Sequence, residues 1–375
     1  MLSSFEVVNF RTFRHLRIER FAGVNLIVGK NGVGKTTLLE SLRFYGAGSQ
    51  VALRECLAGH DEWAAPAIPG EAILDLRALF HGRDEGCAEV EIGPLGDERA
   101  RLRMRLVDIE RVEESDGSYH YEEVEEVGTG SPEGEILKGI IVQQGGRQTF
   151  ISPDVSRRGQ TRGKYVGPPF VLARGVQEAD LTFWWETITL TPSQERVIDF
   201  LSMLAPIDGI TTVENPSVRG ARMFKVRLHG EESPVPLSTL GGGLVHVFQL
   251  AVAIEYCYSL RHRQASLFDE TTDGPGGEPS RWLLIDEVEN GIHHTLHARL
   301  WKDIFQMARR NDIQVFATTH SLDCLKGFAQ AVAEDGQNDG LVIRLEKIEG
   351  EDETGAVVID REGLPIVVRD SIEVR

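Results

Sequence analysis

The sequence predicts an α/β protein with an inserted antiparallel β lobe and a helical lid, on three observations. An apolar run, Val24 to Val28, feeds a glycine-rich loop, and Leu38, Leu39 and Leu42 follow it at helical spacing. Two later apolar runs, Trp282 to Ile285 and Ile313 to Ala317, read as buried strands that end in polar tips. From Ala72 to Leu106 lie strand-like pieces separated by Gly and Pro, which read as the inserted β lobe.

The glycine-rich loop has the form G-x-x-x-x-G-K-[ST]: Gly29, Lys30, Asn31, Gly32, Val33, Gly34, Lys35, Thr36, with Thr37 next along the new helix. Strand, loop and helix in that order are the context a phosphate-binding P-loop requires. Glycines let successive backbone N–H groups face phosphate oxygens, and the helix offers its positive end. Lys35 would reach the outer phosphates, and the Thr36 hydroxyl would sit on Mg²⁺ bridging the β- and γ-phosphates. A nucleoside triphosphate is therefore the expected ligand.

At 375 residues the chain is long enough for one elaborated domain or two. Its 26% charged and 41% apolar residues describe a soluble protein, and its start lacks the basic and apolar pattern of a signal peptide. The longest apolar stretch, Leu244 to Leu260, contains His246, Gln249 and Glu255, which makes it a buried helix and not a bilayer span. Four scattered cysteines, Cys56, Cys87, Cys257 and Cys324, fit a reducing cytoplasm and neither a zinc site nor a disulfide framework. A net charge of −18 weighs against a surface that coats nucleic acid broadly, while a local basic groove stays open.

Before the P-loop strand, residues 1–22 alternate in two runs around Asn9 to Arg14 and read as a hairpin. Phe10 or Phe13 could stack on a base and Arg11 could approach a phosphate; core and edge roles are the plainer reading. Arg99, Arg101, Arg103 and Arg105 fall on one strand face, opposite Ala100, Leu102, Met104 and Leu106. They could grip a phosphate backbone, but the acid-rich stretch from Asp108 to Glu126 follows directly, and pairing with it is favoured. Glu113 to Ser118 reads as the hairpin turn between them.

Residues 128–169, with Gln143, Gln144, Arg147, Arg157, Arg158 and Arg162, are expected to hold mobile loops around a strand at Ile140 to Val142. Thr191 before Pro192 marks a helix start, continued by Val197, Ile198, Leu201 and Leu204. Trp184 and Trp185 read as lid packing in preference to a contact surface. Neither repeats nor sustained heptads occur, so a long coiled-coil arm is not expected.

Ser238, Thr239, Leu240, Gly241, Gly242 and Gly243 then open a long apolar helix, a second phosphate-binding device. The strand Trp282 to Ile285 ends in Asp286 and Glu287: the first can hold the shell of a Mg²⁺ ion, and the second can polarise an attacking water. Ile313 to Ser321 delivers Thr318, Thr319 and His320, and the histidine can sense a γ-phosphate.

In this order the motifs resemble those of ABC-type ATPase heads such as SMC and RecF-like proteins. More narrowly, NFRTF, VNLIVGKNGVGKTTLLESL, LLIDEVENGIHH, LWKDIFQMARRNDIQVFATTHS and IEVR are similar to prokaryotic AAA-family ATPases related to the OLD family, often encoded in anti-phage defence or DNA-repair operons. The resemblance covers residues 1–46 and 235–330, with a weak echo at Tyr165 to Pro168 and Trp184 to Val197. It implies Walker A at Gly29 to Thr36, Walker B at Asp286 and Glu287, a D-loop at Asn290 and Gly291, and a switch histidine at His320. The signature departs from LSGGQ, leaving Ser238 and Thr239 as alternatives for its hydroxyl, with Gly241 and Gly243 beside them and His246 where related ATPases often have a basic residue. Gln143, Gln144 and Gln148 are equal candidates for the Q-loop glutamine.

The same resemblance implies an ATPase core of residues 1–46 and 235–375 around an inserted lobe and lid of residues 47–234. It implies ATP and Mg²⁺ as ligands and a head-to-tail, ATP-linked homodimer in which one subunit's signature completes the other's P-loop. Some 55 residues follow His320, too few for a TOPRIM nuclease domain, so a separate effector, a nuclease or toxin, is expected. DNA binding through the arginines is the competing expectation, and a membrane transporter subunit is disfavoured by the inserted lobe. His293, His294 and His297 have metal-like spacing, yet they follow the D-loop and read better as part of a dimer seam.

Overall fold

The computed structural model describes the chain except residues 48–51, 54–55, 58–59, 65–72, 84–88, 114–118, 125–135, 154–166, 203, 217, 219–220, 264–280, 335, 337–338, 349–352 and 370–375. Arg157, Arg158, Arg162, Tyr165, most of the Glu113 to Ser118 turn and the closing IEVR lie outside the described residues.

In chain order the strands and helices are β1 (Phe5–Phe10), β2 (Phe13–Ile18), β3 (Val24–Val28), α1 (Lys35–Ala47), β4 (Trp63–Ala64), β5 (Ile73–Leu74), β6 (Val90–Gly93), β7 (Leu102–Glu113), β8 (Tyr119–Glu123), β9 (Ile136–Gln144), β10 (Arg147–Ile151), β11 (Phe170–Val171), α2 (Glu178–Ile188) and α3 (Pro192–Leu201). They continue with β12 (Ile207–Glu214), β13 (Arg222–Leu228), β14 (Val235–Pro236), α4 (Gly242–Arg263), β15 (Trp282–Ile285), α5 (His297–Asn311), β16 (Gln314–Thr318), α6 (Leu322–Glu334), β17 (Gly340–Lys347), β18 (Thr354–Ile359) and α7 (Leu364–Arg369).

The central sheet runs β11-β15-β16-β3-β17-β18, parallel except for the β17–β18 hairpin. Its inner strands are covered on both faces, which is why they read as continuous apolar runs. Side chains alternate between two cores: Val24, Leu26, Val28, Leu283 and Ile285 face the helices α4, α5 and α6, while Ile27, Leu284 and Phe316 face α1 and the β lobe. Asn25 is buried within β3, where its side-chain amide donates to Ala22 O at 2.8 Å and Val315 O at 3.1 Å. A polar residue in a core strand is satisfied by tying the P-loop strand to its neighbour.

A second sheet, wholly antiparallel, runs β10-β9-β7-β6-β1-β2, with β8 also paired to β7. It joins the first hairpin to strands that begin some 70 residues after β2, so it takes strands from both sides of residue 46. Gln143, Gln144 and Arg147 therefore sit in the regular hairpin of β9 and β10, not in the loop expected there. The arginine face finds acids on both sides: Arg101 pairs with Glu6, Glu91 and Glu98, Arg103 with Glu98 at 2.6 Å, and Arg105 with Glu123 at 2.9 Å.

The lid packs on α4. Thr191 caps α3, accepting from Ser193 N, and Pro192 takes the first helical position, where a missing N–H costs nothing. Trp184 stacks on Tyr256 with centroids 5.6 Å apart, and Trp185 meets Phe248 at 5.5 Å. Glu255 of α4 is wholly buried between Arg196 of α3 and Arg310 of α5, at 2.6 and 2.5 Å. By length and composition α4 could cross a membrane, but 72% of that stretch is buried inside the protein, and it serves as a core helix.

Candidate functional site

The P-loop leaves β3 with Gly29, Gly32 and Gly34 at φ +147°, +75° and +109°, conformations that side chains rarely adopt. A Cβ at Gly34 would lie 2.5 Å from the Phe13 ring, so the first hairpin is moulded to the loop. At Gly32 a Cβ would meet nothing within 4 Å, which leaves the mouth of the loop open. Lys35 curls across that mouth, its Nζ donating to Gly29 O at 2.7 Å and Lys30 O at 3.2 Å. Burial lowers its pKa against the pull of Asp286, Glu287 and Glu289. Lys30 and Asn31 are exposed beside it, whereas Val33 and Thr37 turn inward. The Thr37 hydroxyl meets Thr12 Oγ1 at 3.4 Å, and the Val33 side chain lies 3.0 Å from where a Cβ at Gly29 would stand.

Strand β15 brings Asp286 to the same end of the sheet. Thr36 Oγ1 lies 3.2 Å from Asp286 Oδ2, although 250 residues separate them. Thr318 Oγ1, from adjacent β16, donates to Asp286 Oδ1 at 2.6 Å and accepts from Glu287 N at 2.9 Å. Burial raises the Asp286 pKa, and the hydrogen bonds from Thr318 and Thr36 pull it back. Glu287 has φ +52°, a strained conformation for a non-glycine residue, held by its neighbours at the strand end. His320 Nδ1 lies 3.4 Å from Glu287 Oε1 and 3.5 Å from Glu289 Oε1, and His320 N donates to Glu289 Oε1 at 3.2 Å.

These groups fit a nucleotide with a divalent cation. An open mouth, a lysine turned over it and a hydroxyl–carboxylate pair beside it are the donor set such a ligand needs. Among the described residues no group of three or more His, Cys, Asp or Glu could hold a metal alone, so a cation between Thr36 and Asp286 would take its other ligands from phosphate and water. A cavity of about 280 Å³ opens at this end, with Thr36, Asp286, Glu40, His60, Arg43 and Arg174 among its walls.

Several sequence expectations end elsewhere. Phe10 and Phe13 are fully buried and cannot stack on a base. Arg11 turns from the phosphates to Glu40 at 3.1 Å and Glu62 at 3.0 Å. Gln143 bonds Gln148, and Gln144 donates to Tyr45 O at 3.2 Å, nine residues beyond Thr36 and so about 14 Å along α1. The segment that does reach the end where Thr36 and Asp286 meet is 172–177, between β11 and α2. Ala173 O accepts from Asn290 Nδ2 at 2.6 Å, Arg174 lines the cavity, and a Cβ at Gly175 would lie 3.1 Å from Gln249 of α4. Sequence reading missed Arg174, which carries no motif, and Glu289, whose only signal is a third acid two positions after Glu287.

At the glycine-rich helix start, Ser238 and Thr239 are exposed in a short 3-10 turn, and Thr239 Oγ1 donates to Pro236 O at 2.6 Å. A Cβ would meet nothing within 4 Å at Gly241 or Gly242, whereas Gly243 lies backbone to backbone against Gly291. His246, one turn on, is buried. His297 is also buried, its Nε2 3.1 Å from Ile292 O, while the His293 and His294 rings lie 4.3 Å apart near the surface.

Comparison with known proteins falls on the same segments. Residues 4–50 match an "AAA domain" family, and residues 221–324 match the family described as "AAA domain, putative AbiEii toxin, Type IV TA system". An ATP/GTP phosphatase of Helicobacter pylori is 21% identical over 89% of both chains. The Rad50 ATPase of Archaeoglobus fulgidus, a DNA double-strand break repair protein, is 30% identical over 22% of this chain and 11% of its own length. The replication and repair protein RecF of Clostridioides difficile is 51% identical over 11% of each. Among solved structures, the SMC head domain from Thermotoga maritima aligns over 96% of this chain and 99% of its own at 14% identity, with a TM-score of 0.41. The two AAA matches cover the loop and the strand-end acids that the fold brings together, and the chain is an ATPase that resembles AAA domains over these segments and, locally, the RecF and Rad50 ATPases.

Proposed function

We propose that the chain is an ATP-driven switch working as a head-to-tail pair in the cytoplasm, the sensor or regulatory ATPase of a prokaryotic anti-phage defence system with a separate nuclease or toxin as effector. The observation that carries the catalytic part is the meeting of Lys35, Thr36, Asp286, Glu287 and His320 at one end of the central sheet. Gly29 to Thr37 hold the phosphates, largely through backbone N–H groups. Thr36 and Asp286 hold Mg²⁺, which when bound offsets phosphate charge. Glu287 orients the attacking water, His320 reports the γ-phosphate, and Lys35 leaves its carbonyl partners for the outer phosphates.

Pairing is supported by the exposed Ser238, Thr239, Gly241 and Gly242 at a helix start where a second copy's nucleotide could dock. ATP would then favour the joined state, and hydrolysis the open one. The toxin–antitoxin wording of the family over residues 221–324 supports the defence setting.

A second reading, a RecF-like DNA-repair ATPase, draws on the local RecF and Rad50 likeness and on the groove of about 630 Å³ lined by Arg99, Arg101, Arg103 and Arg147. The ion pairs of Arg101 and Arg103 with Glu6, Glu91 and Glu98 offset much of that groove's charge. The deciding experiment is the solution mass of wild type and Glu287→Gln, with and without ATP and Mg²⁺, scored also for DNA. A dimer that tightens with ATP and persists in Glu287→Gln supports the switch. A mass indifferent to nucleotide overturns the pairing, and salt-sensitive DNA binding lost on reversing Arg99 and Arg103 transfers the case to repair.

A further inference from the structure

Glu289, like Asp286, is buried at this end, with its side chain 9% exposed. Its Oε1 holds His320, at the backbone N–H and beside Nδ1. Its Oε2 is buried and has no hydrogen-bond partner among the described residues. The turn carrying it is tight, with Asn290 N donating to Glu287 O and Ile292 N to Glu289 O, both at 2.9 Å.

That turn is also where α4 rests. Gly291, at φ +70°, packs against the Gly243 backbone so closely that neither position has room for a Cβ. One turn along α4, His246 is hydrogen-bonded to the Val288 backbone and feels the Glu289 carboxylate. Its Nε2 is likewise buried without a hydrogen-bond partner among the described residues. Leaving a buried polar atom unmatched is unfavourable, so two such atoms beside one turn mark a place where a small rearrangement is favourable.

We infer that Glu289 is a positioning residue that ties the nucleotide-facing His320 to α4, so that the occupant of the P-loop is felt at Ser238 to Gly243. When His320 moves toward a γ-phosphate, Glu289 follows or lets go, and the 288–291 turn carries Gly243 and His246 with it. The inference rests on the proposed role of His320, and it gives the exposed helix start a cue from its own subunit's nucleotide.

The test is hydrogen–deuterium exchange of the full chain at residues 238–247, with and without ATP and Mg²⁺, alongside solution mass and the affinity of a fluorescent ATP analogue. Wild type is expected to change exchange there on adding ATP. Glu289→Ala should bind the analogue within about threefold of wild type yet lose at least about tenfold of that exchange response. Glu289→Gln, which keeps an acceptor for His320 N and nearly the same shape, should retain part of it; it also serves if the alanine variant fails to fold. A full response in both variants overturns the link, as does a wild type that dimerises with ATP without any change at 238–247. A wild type that shows the exchange response while staying monomeric upholds the link and overturns the paired-head reading instead.

Discussion

Thr318 donates its hydroxyl hydrogen to Asp286 and with the same oxygen accepts the Glu287 amide, so one side chain from β16 fixes both acids at the end of β15. Thr318→Val should cut turnover about tenfold with little change in nucleotide affinity, because the acids lose their orientation and not their charge. Thr318→Ser should keep most activity. Steady-state kcat and KM for the two variants check this, and an unchanged kcat in the valine variant would refute it.

Among the described residues Lys35 bonds the loop carbonyls of Gly29 and Lys30, contacts worth little to stability. Lys35→Ala should weaken ATP binding by about tenfold to a hundredfold, the loss of a charge-assisted hydrogen bond, with no drop in melting temperature. Titration calorimetry and a thermal melt on one sample separate the two effects.

Glu255 is wholly buried and its charge is met by Arg196 and Arg310. Removing one partner of such a set leaves the others uncompensated, so Glu255→Ala should destabilise by about 3 kcal/mol, the low end of the range because both arginines reach solvent. Urea unfolding measures it, and a loss confined to the lid would appear as an early, separate transition.

His60 has a raised pKa, chiefly through its hydrogen bond with Glu40, Nε2 to Oε1 at 2.5 Å. A raised histidine pKa contributes stability that is complete below the unfolded value and lost as pH rises through the folded one. His60→Gln should therefore be less stable than wild type near about pH 5.5 and match it near about pH 9. A difference constant across that range would mean that packing, not charge, is responsible.

The P-loop, the two strand-end motifs and the Thr191 cap were legible because each is local: a few neighbouring residues fix the backbone and name the chemistry. Strand partners were not, because order in a sheet is set by residues far apart in sequence. Proximity to the acidic stretch made it the expected partner of the arginine row, and Arg105 does take Glu123. Arg101 and Arg103 instead take Glu91, from β6, and Glu98, because β7 lies between β6 and β9. The same limit explains the glutamines. Gln144 sits in a hairpin that leans on the far end of α1, while the segment beside Thr36 and Asp286, 172–177, carries Arg174 and no motif. Burial decided Phe10 and Phe13, whose spacing suits a hairpin core as well as a base-stacking edge.

The P-loop strand lies between β16 and β17, whose residues begin at Gln314 and Gly340. During synthesis from the amino terminus, β3 emerges nearly 300 residues before either neighbour exists, and its five buried residues have no sheet to join. The first hairpin can pair with β6 much sooner, since Val90 to Gly93 follow within one short stretch of chain. The antiparallel lobe is thus the element able to form while the chain is still growing, and the nucleotide site is among the last features to close. Contacts of such long sequence separation slow folding. Newly made chains should accordingly remain protease-sensitive around the P-loop until residues beyond Lys347 have been added, and ATP in the cell would meet a site that becomes competent only at the end of synthesis.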